Sequence, residues 1–194
     1  MKKIYIVLTH TGTVLSRIIK KYTKDEFSHV SIALDEDLKE MYSFGRLHPY
    51  NPFIGGFVHE DINLGTFKRF KKTKTAIYSL QIKEEEYERI DNTIKKIQEA
   101  KVPYKFNIIG LFAIALKLRI HKEHSFYCAE FVKYSLENSG IETNLPIMIR
   151  PESFKHLKNI KLEYKGILRD YKSHINPLKP IIIQWIEGKI PQKL

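Results

Sequence analysis

The apolar run at Lys3–Thr9 predicts a buried β-strand. Val14–Tyr22, VLSRIIKKY, carries apolar residues at helical spacing and predicts a short amphipathic helix. In Val30–Leu34, VSIAL, apolar residues alternate with small or polar ones, as in a strand. The acidic DEDL then makes a turn, and KEMYSFG runs back as the second strand of a hairpin. Residues 45–66 read as a loop, with Pro49, Pro52 and the Gly55–Gly56 pair. TAIYSLQI at 75–82 alternates and predicts a strand. Glu84–Ala100 predicts a helix with Tyr87, Ile90, Ile94 and Ile97 on one face.

The most apolar segment is FNIIGLFAIALKLRI at 106–120. It is too short to span a bilayer, and its apolar residues nearly encircle a helix, so a buried core helix is expected. Cys128–Ser139 predicts a helix stopped by Gly140, with Ser125 as its N-cap. Near the end, PIIIQWIEGKI predicts a strand or helix packed on the core. With no repeat, low-complexity tract or linker, one domain over 1–194 is expected.

Composition changes this picture little. A chain of 194 residues with 43% hydrophobic and 28% charged residues can bury a real core. The N-terminal apolar run is too short for a signal-peptide core and no small-residue cleavage site follows it. One cysteine excludes an intrachain disulfide, and a cytoplasmic protein is expected. The formal net charge of +11 would suit an acidic polymer or anionic lipid. Nucleic acid is not expected as a partner: the excess lysine is spread along the chain, only KRFKK at 68–72 is a tight cluster, and no nucleic-acid-binding motif is present.

The chemistry that stands out is the single thiol, in FYCAEFV at 126–132. A lone cysteine is often only a small buried apolar group. Here it falls where an aromatic pair turns into an amphipathic helix, and the positive end of a helix dipole favours a thiolate. A catalytic thiol needs a histidine to shuttle its proton. Of the eight histidines, His29 opens the strand HVSIAL, where a ring can be rigid yet face a cleft. His121 and His124 are closer in sequence but sit in a basic segment. Together with Cys128 they could be misread as metal ligands, but a zinc site needs three or four ligands with supporting groups, the chain has no other cysteine and no HExxH, and neither metal nor cofactor is expected. The glycines at 55, 56 and 65 form no phosphate-binding fingerprint.

FSHVSIAL followed far downstream by FYCAEFVKYSLENSG resembles the circularly permuted branch of the NlpC/P60 papain-like superfamily, which is related to the lecithin:retinol acyltransferase-like proteins. In that branch the histidine strand precedes the cysteine helix. VPYKFN is similar to a third element of the superfamily, whose tyrosine lines the active site; the resemblance gives that role, and support of the oxyanion, to Tyr104. The likeness covers about residues 3–140, and residues 141–194 are expected to form an extension packed on the core.

The resemblance implies an α+β, permuted papain-like fold, with an antiparallel sheet or barrel packed against the cysteine helix and His29 beside Cys128. It also implies a polar residue on the strand after the histidine strand, orienting the imidazole. In KEMYSFG one register puts Glu40 and Tyr42 on the His29 face, and the other puts Met41 and Ser43 there. A carboxylate stabilises an imidazolium better than a hydroxyl, so Glu40 is preferred over Ser43. The expected activity is that of a cysteine hydrolase acting on a small peptide, amide or lipid-ester substrate through an acyl-enzyme. Backbone N–H groups at the start of the cysteine helix would hold the oxyanion. A lipid-active acyltransferase at a membrane surface and a catalytically idle binding module are the rival expectations.

Overall fold

The computed structural model describes residues 1–48, 51–100, 105–106 and 125–175. The chain is a mixed α+β protein built on one open antiparallel sheet of six strands. These are β1 (Lys2–His10), β2 (His29–Ala33), β3 (Met41–His48), β4 (Asn51–Glu60), β5 (Lys74–Ile82) and β8 (Lys161–Ile167). Two-residue strands β6 (Lys105–Phe106) and β7 (Ser125–Phe126) pair separately, in parallel. The spatial order is β4-β3-β2-β1-β5-β8, so the first four strands form a meander and β5 closes on the other side of β1.

As an inner strand covered on both faces, β1 has an unbroken apolar run instead of an alternating one. Ile4, Ile6 and Leu8 join Val30, Ile32 and Phe44 in the larger core. Two helices cover that face: α3 (Glu84–Gln98) through Ile90, Ile94 and Ile97, and α4 (Cys128–Asn138) through Phe131, Val132 and Leu136. Tyr5, Val7, Ala33 and Met41 alternate to the other face and meet Phe67 of the short helix α2 (Gly65–Arg69) and Tyr171. Helix α1 (Val14–Thr23) starts at Thr13, whose hydroxyl accepts the Ser16 N–H at 3.2 Å.

The stretch expected as a loop at 45–66 is mostly strand. The rest of β3 and all of β4 occupy it, with Gly45 paired to Gly56 and Arg46 to Gly55. Its residues favour a loop locally for a physical reason. β4 is a sheet edge, where Pro52 sacrifices no ladder bond that an inner strand would need and glycine is tolerated.

The segment after Gly140 is tied to the loop that leads into β2. Arg150 pairs with Asp25 at 3.1 Å, Glu152 accepts the Phe27 N–H at 2.8 Å, and Lys165 reaches Glu26 at 2.8 Å. This clamp fixes the approach of the chain to His29. Among the described residues no helix is long and apolar enough to cross a membrane. Residues 107–120 of the expected core helix, and the segment PIIIQWIEGKI, lie outside the described residues.

Candidate active site

Cys128 is the first residue of α4. The N-cap is Tyr127 rather than Ser125, which belongs to β7. The Tyr127 hydroxyl donates to the Ile149 carbonyl at 3.0 Å, and its backbone N–H donates to the Glu130 carboxylate at 3.2 Å. Phe126 packs edge-on against Phe44 of β3, ring centroids 5.3 Å apart. The two aromatics thus pin the strand-to-helix corner at which the thiol sits, and Cys128 is buried at 3% exposure.

His29, the first residue of β2, lies beside Cys128, and both line one cavity. Its Nε2 donates to Glu60 Oε1 at 3.0 Å, so Nδ1 is the ring nitrogen that Glu60 leaves open. Ser31 donates to the other carboxylate oxygen, Oε2, at 2.5 Å. Burial opposes a charge on the imidazole, but Glu60 and the neighbouring Cys128 outweigh it and push His29 up to about 10. Burial would likewise raise Glu60, yet His29 and Ser31 hold its carboxyl below the usual range. A buried carboxylate stripped of its partner would cost several kcal/mol, so the pair holds together as imidazolium and carboxylate.

Glu60 is not on the strand next to His29. It ends β4, opposite Met41, and must reach across β3. Small residues on β3 leave room for this. A Cβ placed on Gly45 would stand 3.4 Å from His29 Cε1, 3.3 Å from Ser43 Oγ and 3.8 Å from Glu60 Oε1. Ser43 lies close enough to Glu60 to help hold its charge but makes no well-formed hydrogen bond.

The three groups open onto one cavity of about 280 Å³, at the low end for a small-molecule site. His29, Cys128 and Glu60 line it with Arg46, Leu64 and Phe67, and the Thr11, Thr13 and Ser16 hydroxyl side chains complete one part of the wall.

Of the residues singled out in the sequence, Cys128 and His29 are brought together. Glu40 is not with them. It precedes β3, shares the face of Tyr42, accepts a hydrogen bond from the Tyr42 hydroxyl and is exposed. The register that faces His29 is that of Met41 and Ser43, and the carboxylate there is Glu60. Tyr104, His121 and His124 lie outside the described residues. Among the described residues no three metal-ligating side chains cluster. The signal that could have found Glu60 is the alternation in FVHE, once residues 51–60 are read as a strand. No protein-family model matches the chain, and no curated protein matches it in sequence.

Proposed function

We propose that the protein is a thiol hydrolase of amide or ester bonds, on a permuted papain-like fold of the NlpC/P60 kind. The observation that carries this is the line Cys128–His29–Glu60 opening onto a single cavity. The order of the histidine strand before the cysteine helix, and the packing of that helix on β2 and β3, support the fold assignment.

In this mechanism Cys128 reacts as the thiolate, with the protonated His29 beside it. Cys128 Sγ attacks the scissile carbonyl carbon, and the C–N or C–O bond breaks as His29 gives its proton to the leaving amine or alcohol. The acyl group is then held as a thioester on Cys128. Water attacks it while His29 takes one of its protons, and the carboxylic acid leaves with the thiolate restored. Backbone N–H groups at the start of α4 are positioned by the helix geometry to receive the developing oxyanion. Glu60 keeps Nε2 occupied, so that Nδ1 does the proton transfer.

The test is alkylation by iodoacetamide at pH 6, followed by mass. Cys128 should react at least about tenfold faster than free cysteine, His29→Ala should abolish the advantage, and Cys128→Ser should take no label. Reaction no faster than free cysteine would sink the proposal.

A further inference from the structure

Arg46 lines the same cavity as Cys128 and is partly buried. Its guanidinium lies over the Phe70 ring, 5.8 Å from the centroid, and no carboxylate among the described residues comes within ion-pair distance of it. Arg69 approaches the same ring to 5.1 Å, adding a second positive charge. Burial, then the like charge of Arg69, hold Arg46 below the usual range for a guanidinium, while Glu60 acts in the opposite sense. Glu60 is already engaged by His29 and Ser31. The other acid on the cavity wall, Asp61, is exposed and accepts the Asn63 N–H at 2.5 Å. A partly desolvated guanidinium with no carboxylate in ion-pair contact is an expensive arrangement unless something anionic joins it.

We propose that Arg46 determines specificity in this cavity, and that the substrate carries a carboxylate which the guanidinium binds while Cys128 meets the scissile bond. The proposal rests on the thiol-hydrolase reading above. A planar carboxylate matches the guanidinium fork in a bidentate pair. The small cavity suits a compact acid such as the end of a peptide better than a phosphodiester headgroup. The net charge of +11 would draw such a substrate from a distance.

Two alkylating agents test this on the intact chain. Iodoacetate carries a carboxylate next to its reactive carbon, and iodoacetamide is its neutral counterpart. The ratio of their rates at Cys128 should fall about fivefold to tenfold in Arg46→Gln. Arg46→Lys should recover part of the ratio. The charge of His29 attracts iodoacetate in all three proteins and so cancels. Acetate should slow iodoacetate labelling of the wild type and not of Arg46→Gln. An unchanged ratio in a reactive Arg46→Gln protein overturns the role of Arg46 and leaves the hydrolase reading standing. Protection by phosphate but not by acetate overturns the carboxylate assignment. Lack of enhanced reactivity with either reagent overturns the hydrolase reading and this one with it.

Discussion

Glu40 and Glu60 occupy neighbouring places in the sheet, since Glu60 pairs with Met41, the residue after Glu40. Their surroundings could hardly differ more. Glu40 is exposed and bonded to Tyr42, two residues further along the chain. Glu60 is largely buried, bonded to His29 and Ser31 on a strand two away from its own, and held as an anion by the imidazolium. Strand alternation alone separates them: one step along a strand turns a side chain to the opposite face. The lesson is that a carboxylate matters to the thiol here by the face and burial it is given, not by its distance in sequence from the histidine.

The largest effect should come from exchanging charge for amide at the two positions. Glu60→Gln should slow iodoacetamide alkylation of Cys128 at pH 6 by about a hundredfold or more, the scale on which loss of an orienting carboxylate hurts a catalytic histidine. Glu40→Gln should change it less than about twofold, because a surface substitution of this kind is nearly silent. Equal effects at both positions would erase the distinction drawn between them.

The two glycines that face each other across β3 and β4 sharpen the comparison on a smaller scale. At Gly45 a side chain would press on Ser43, which is buried, and on His29, which its bond to Glu60 holds in place. Gly45→Val should therefore cost about 1–3 kcal/mol in urea unfolding and slow the thiol with it. At Gly56 a Cβ meets only the Leu47 side chain, at 3.4 Å, and Leu47 is 49% exposed and free to shift. Gly56→Ala should stay within about 0.5 kcal/mol and leave alkylation unchanged. A tolerated Gly45→Val would mean that Glu60 does not need the gap in β3 to reach His29.

What the sequence allowed one to read follows the same division. β1, β2, β5 and α3 announce themselves because burial on one or both faces imposes a period on their residues. Cys128 and His29 were legible because their chemistry is rare and each begins an element. Glu60 was not, because β4 is an edge strand containing Pro52, Gly55 and Gly56, whose local preferences favour a loop and are overruled only by pairing with β3. Nor does anything local reveal that Ser43 and Gly45 leave a gap through which a side chain can reach over a whole strand. The clamp from Arg150, Glu152 and Lys165 onto residues 25–27 was equally hidden, since it joins segments more than a hundred residues apart.

The central claim is that Glu60 holds His29 in the charged form beside Cys128. The most direct measurement is the pH titration of the His29 ring by NMR, assigned by its loss in His29→Ala. In the wild type the ring should remain protonated through neutral pH and titrate far above 6.5, towards about 10. In Glu60→Gln the carboxylate's attraction is gone while burial remains, so the titration should drop by several pH units. A wild-type ring that titrates at or below 6.5, or one that Glu60→Gln leaves in place, would contradict the account.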